Sequence, residues 1–270
     1  MTAASADRPV AWVTGASRGM GADTARRLAE AGYDVALTAR DRDRLNAVAA
    51  DVERAGGRAL PVTADLTDRR SIEAFADAAA RWAGRCDVLC NIGIYQGPGT
   101  RQLLLDTPVD ELDRSLEADV IAPAVLIQRA VPLMTAAGGV IVNMSSAVVF
   151  LSPPGTVHES GWSLAYAAAK AGIDQFAKVL NIELAEARVR VFTVEPGFVA
   201  YGEAAAAMLR KYPGSPVSPP EAIGPAIVWL VSNPDAAALL DKRVNLPALT
   251  LTHGLLPGWE GPGTSYASTS

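Results

Sequence analysis

Short apolar runs of strand character alternate with long helical patterns from one end of this chain to the other. That order constrains the fold more than any single residue does. A strand followed by a helix and a parallel strand must cross over right-handed, which lays the helix on one face of a sheet. The expected strands are residues 10–14, 34–39, 58–63, 87–91, 140–143, 189–194 and 243–246, and several are almost continuously apolar, as strands covered on both faces should be. Helical patterns at 21–31, 42–55, 71–82, 109–136, 163–187 and 220–231 fill the intervals. The reading is an α/β chain with a doubly wound, mostly parallel seven-stranded sheet and helices on both faces. A single domain over residues 1–270 suits this length. Two stretches break the rhythm. Residues 150–162, rich in Pro, Gly and Ser, read as an inserted loop, and 255–270 as a C-terminal tail, poorly ordered or dependent on a partner.

Immediately after the first strand stands Thr14-Gly15-Ala16-Ser17-Arg18-Gly19-Met20-Gly21, and a helical pattern begins at once. Glycines here permit a tight turn, close approach of backbone to a pyrophosphate, and close packing of helix on strand. The helix N-terminus adds free N–H groups and the positive end of a dipole. A dinucleotide site in a Rossmann fold follows from this context. The end of the second strand, where an acid would hold a free ribose 2′-hydroxyl, carries Ala39 and then Arg40. Arg18 and Arg40 can clamp a 2′-phosphate, so NADP(H) is expected over NAD(H). Asp41 argues the other way, unless it serves as the N-cap of the helix that starts at Arg42.

The spacing of these glycines resembles that of the short-chain dehydrogenase/reductase family, and the resemblance runs from about Val10 to Val199. It implies the strand order 3-2-1-4-5-6-7. It also implies that Gly15, Ser17, Arg18, Gly19, Met20, Gly21 and Arg40 meet the cofactor, with Asp65 and Leu66 at its adenine. Asn91-Ile92-Gly93-Ile94 stands where the family has Asn-Asn-Ala-Gly, so Asn91 and Gly93 are expected beside the nicotinamide ribose on an altered path. Pro196, Gly197 and Val199 resemble the turn that lies against the nicotinamide, while Tyr201 replaces the hydroxyl residue expected just beyond.

Tyr166 and Lys170 lie four apart in a helical pattern, hence on one face, and the strand at 140–143 runs into Ser145 and Ser146. A phenol titrates at about 10 in water, and a neighbouring ammonium favours its ionised form. By the resemblance, Tyr166 is general acid or base, Ser146 holds the substrate oxygen, and Lys170 assists the phenol and binds the ribose. Asp119 takes the place of the family's fourth catalytic residue, an asparagine. Substrate contacts are expected from Tyr95, Gln96, Trp162 and Tyr201, because loops at the carboxyl ends of parallel strands form the ligand crevice. The expected reaction moves a hydride between nicotinamide and a carbonyl or secondary alcohol. The competing readings are a non-catalytic NADP-binding sensor or scaffold, motivated by Ile92, Asp119 and Tyr201, and a lyase or isomerase on the same fold.

The net charge of -5 without a basic block gives no footprint for nucleic acid. Neither a secretory signal at the start nor a bilayer-length apolar span is evident, so a cytoplasmic protein with no membrane partner is expected. Cys86 and Cys90 read as buried packing residues, and with only His158 and His253 beside them no metal is expected. The apolar faces of 109–136 and 163–187 suit a homodimer or homotetramer, as the resemblance implies.

Overall fold

The computed structural model describes residues 8–134, 138–200, 210 and 216–264. In chain order the first half contains β1 (Val10–Thr14), α1 (Gly19–Glu30), β2 (Asp34–Ala39), α2 (Arg42–Arg54), β3 (Ala59–Thr63), α3 (Arg69–Ala83) and β4 (Val88–Asn91). There follow α4 (Val109–Leu116), α5 (Ala122–Ala130), β5 (Gly139–Met144), α6 (Val157–Ser160), α7 (Leu164–Asp174), α8 (Phe176–Glu183) and β6 (Val189–Glu195). A main sheet of seven strands runs β3-β2-β1-β4-β5-β6 and ends on Arg243–Asn245, all neighbours parallel. This is the expected doubly wound order; its last strand comes after a small separate parallel pair, Phe198–Val199 with Val217–Ser218.

Alternation along β1 shows how the two faces are filled. Ala11 and Val13 point into a core with Leu28 of α1, Leu45 of α2 and Ile227 of the helix Gly224–Ser232. Val10 and Trp12 point into the opposite core with Ile72 and Phe75 of α3 and Leu126 of α5. The Trp12 and Phe75 rings meet edge to face at 5.9 Å. Period-two alternation with both sides apolar is what a strand between two helical layers requires. Cys86 and Cys90 are free and buried, and burial pushes the Cys90 thiol up to about 12.

Three expectations change. The single helix expected over 109–136 is interrupted by a wide π-type turn at Glu117–Ile121, and α5 gives way to a 3-10 turn at Val131–Leu133. Pro123 lacks the N–H that would close on the Asp119 carbonyl, so the α-helical ladder cannot run through this point. The loop 150–162 holds one helical turn, α6, closed by a capping box between Thr156 and Glu159. The tail is packed as far as it is described: Leu256 and Trp259 are buried against Ala222, and the Gly263 N–H donates to the Val217 carbonyl at 2.7 Å. Two large apolar side chains on that segment have a face to cover, which composition alone did not reveal.

Candidate active site

The turn after β1 needs its glycines. Gly15 and Gly19 have φ of +67° and +56°, in the left-handed region. A Cβ on Gly15 would lie 2.6 Å from the Gly93 Cα, and one on Gly21 would lie 2.3 Å from the Gly15 carbonyl oxygen. Thr14 ties the same turn to the strand-four loop: its hydroxyl accepts the N–H groups of Ile92 and Gly93, each at 3.0 Å. Arg18, the residue before α1, supplies no side-chain cap, and no acid stands in the first turn. The N–H groups and positive end of α1 are therefore left for an anion.

They open into a cleft of about 740 Å³ at the carboxyl ends of the strands. Its wall includes Gly15, Ser17, Arg18, Gly19, Met20 and Gly21, then Arg40, Asp65, Leu66 and Gly93, and farther along Tyr95, Gln96, Tyr166, Lys170 and Pro196. Asn91 stands behind this wall, donating from Nδ2 to Asn143 Oδ1 at 2.9 Å. Ser146, Gly197, Val199 and Trp162 are not part of it, and Tyr201 lies outside the described residues. The Ser146 Oγ accepts the Val148 N–H at 3.3 Å, capping the short turn that follows. Ser145, its neighbour, does reach the wall, with its hydroxyl donating to Asp174.

At the far end of the cleft, α7 carries Tyr166 and Lys170 one turn apart. Lys170 is 2% exposed, and its ammonium donates to the Met144 carbonyl at 2.9 Å and lies 3.6 Å from an Asp119 carboxylate oxygen. The other Asp119 oxygen accepts the Tyr95 N–H at 2.9 Å. Burial raises the Asp119 carboxyl above its ordinary value, with Lys170 and the Tyr95 N–H pulling the other way. Asp119 lies within the wide turn of the helix and is buried there. Tyr95 is doubly held, because its hydroxyl donates to Glu111 at 2.9 Å. Its O–H is thus engaged by Glu111, while Tyr95 itself stands in the wall of the cleft.

Two features in and around the cleft were not foreseen. Arg44 joins Arg18 and Arg40 in the wall, next to Asp41. Asp41 accepts the Arg44 N–H at 3.1 Å, so it is the helix cap, as its alternative role required. Glu111 also accepts the Gly99 N–H at 3.0 Å and pins the loop after β4 from below. Nothing local in the sequence marks it, since its partners come from a loop with no periodic pattern. Asp65 binds the N–H and hydroxyl of Thr67 at 2.9 and 3.0 Å, while the cap of α3 is Asp68.

A family model for short chain dehydrogenase matches residues 9–211, the stretch that builds this cleft. The chain belongs to the short-chain dehydrogenase family. Its relatives include cis-4-hydroxycyclohexanecarboxylate dehydrogenase of Sinomonas cyclohexanicum, 36% identical over 86% of this chain and 91% of that one. The 3beta-hydroxysteroid dehydrogenase 1 of Eggerthella lenta is 32% identical over 82% of this chain and 85% of its own. A metagenomic short-chain oxidoreductase solved in complex with NADP superposes with a TM-score of 0.67 at 33% identity, covering 84% of this chain and 92% of that chain. As a short-chain dehydrogenase the chain is an oxidoreductase by family. Among the described residues no group of acids, cysteines and histidines could hold a metal, and no helix is long and apolar enough to cross a membrane.

Proposed function

We propose that this protein is an NADP(H)-dependent oxidoreductase that interconverts a ketone and a secondary alcohol, with Tyr166 as general acid in reduction and general base in oxidation. One observation carries the reading: the Tyr166 and Lys170 face of α7 closes the end of a cleft whose other end is a glycine turn and an uncapped helix N-terminus. The glycine cradle, which any Cβ would fill, fits a pyrophosphate. Arg18 and Arg40, with Arg44 beside them, would hold a 2′-phosphate, and Asp65 with Leu66 the adenine. Asn91, Gly93, Pro196, Gly197 and Val199 would border the nicotinamide end.

When bound, the reduced nicotinamide supplies the hydride that the carbonyl carbon receives. The protein supplies the proton. Tyr166 gives its phenol proton to the carbonyl oxygen, and Ser146 donates a hydrogen bond to that oxygen with the O–H that its contact to the Val148 N–H leaves unused. Lys170, steadied by the Met144 carbonyl and Asp119, stabilises the negative charge left on the phenol oxygen and bonds the ribose. The hydroxy-compound dehydrogenases among the relatives favour a secondary alcohol or its ketone as substrate. A homodimer or homotetramer in the cytoplasm is the expected form, with Tyr95, Gln96, Trp162 and Tyr201 as substrate contacts.

Following NADPH absorbance against a panel of ketones, aldehydes and quinones tests this reading; at least one ketone should be reduced. Tight NADPH binding without turnover on any of them would favour a binding-only protein, the reading to which the buried Lys170–Asp119 pair lends support. Arg40→Ala is predicted to weaken NADPH about tenfold, the loss of one charge-assisted phosphate contact, while leaving NADH binding unchanged. Equal loss for both cofactors would remove Arg40 from the 2′-phosphate.

A further inference from the structure

Tyr166, Lys170 and Asp174 follow one another at intervals of four along α7, so one helix face carries all three. Lys170 is bonded to the carbonyl of Met144, the last residue of β5. One turn farther, Asp174 is 2% exposed and accepts the hydroxyl of Ser145 at 2.8 Å. Two adjacent residues at the end of β5 are thereby tied to the helix that carries the reacting phenol. Ser145 is fixed from a third side, since its N–H donates to the Val194 carbonyl at 2.7 Å.

Arg243 completes the cluster from the edge strand. Its Nη2 lies 3.0 and 2.9 Å from the two Asp174 oxygens, and its Nε lies 3.3 Å from the first. The same guanidinium stands 4.2 Å from the centroid of the Phe150 ring, at the start of the loop 150–162. A buried carboxylate needs a cation, and an arginine alone would meet that need. Here both residues do more: Asp174 also grips the residue before Ser146, and Arg243 also grips the residue four beyond it.

We propose that Asp174 and Arg243 are positioning residues, which set the Ser146 hydroxyl against Tyr166 through Ser145 and hold the first limb of the loop 150–162 through Phe150. This rests on the reading of Ser146 and Tyr166 as the reacting pair. Small errors in the placement of such groups lower turnover more than binding, whereas a loosened loop weakens binding.

The test combines steady-state kinetics, on whichever ketone the NADPH panel identifies, with amide hydrogen exchange of the cofactor-free protein. Ser145→Ala should lower kcat about tenfold with KM within about twofold, the signature of lost alignment. Phe150→Leu should raise KM more than it lowers kcat, and should speed exchange in residues 147–162 by about two- to fivefold while leaving α2 unchanged. Arg243→Ala should do both, and Arg243→Lys should recover kcat without recovering KM, because an ammonium restores the charge but not the planar contact. If Arg243→Ala does not fold, Ser145→Ala and Phe150→Leu decide alone. Parental kcat in Ser145→Ala, or parental exchange over 147–162 in Phe150→Leu, would overturn the proposal. A parent protein that reduces no ketone defeats the catalytic reading, and the exchange result then decides whether Arg243 holds the loop.

Discussion

Asp119 shows how much one carboxylate depends on its surroundings. An ionised acid in a dry site is costly unless a cation and N–H donors hold it, and Asp119 has Lys170 and the Tyr95 N–H. Asp119→Asn keeps an acceptor for Tyr95 and removes the charge, and is predicted to retain turnover within about tenfold of the parent. An inactive parent made active by this change would contradict the account. Asp119→Leu leaves Lys170 buried without its counter-charge and should cost about 3–5 kcal/mol in urea unfolding. Asp23 makes a pH-dependent case. Its carboxylate accepts the Gly224 N–H at 3.1 Å, and burial raises its pKa from 3.8 to about 6, against the pull of Arg27 and Arg26. A pKa raised on folding contributes stability that is whole below about 3.8 and is lost as pH rises through about 6. Relative to the parent, Asp23→Asn should therefore gain up to about 3 kcal/mol between pH 4 and pH 7, measured by denaturation at each pH. A pH-independent difference would mean that Asp23 is not perturbed.

The glycine turn is the element on which cofactor binding rests. Gly15→Ala meets both a left-handed φ and the Gly93 backbone, so it should lose at least about 1–2 kcal/mol of stability and most NADPH affinity by fluorescence titration. Parental affinity would show that the turn tolerates a Cβ. This element was legible because its causes are local: a strand, three glycines and a helix start lie within a dozen residues. So was the cap role of Asp41. The wide turn around Asp119 was less so, since an apolar pattern with one Pro123 reads as a single helix, and only the fold shows the carboxylate turned toward Lys170. The occupied Tyr95 hydroxyl was hidden for the same reason, as Glu111 reaches it across a loop without periodicity. In the loop 150–162, Thr156 and Glu159 did carry the capping-box spacing, outweighed in composition by the surrounding prolines and glycines.

For the molecule as a whole, alternation of strands and helices was enough to indicate a doubly wound parallel sheet, because right-handed crossovers leave few other ways to cover both faces, while the strand order came from the family resemblance. The packed tail escaped notice, since Leu256 and Trp259 acquire meaning only when Ala222 lies beneath them. Placement of Ser146 beside the cleft and not in its wall likewise depends on how the chain turns after β5. What the assembled molecule is proposed to do rests on the phenol at the mouth of α7. The decisive measurement is single-turnover NADPH oxidation by Tyr166→Phe with a ketone that the parent reduces, at matched cofactor occupancy. The account predicts a rate about 10²–10⁴-fold below the parent, the usual contribution of a positioned acid, with NADPH binding retained. A variant that oxidises NADPH as fast as the parent would contradict it.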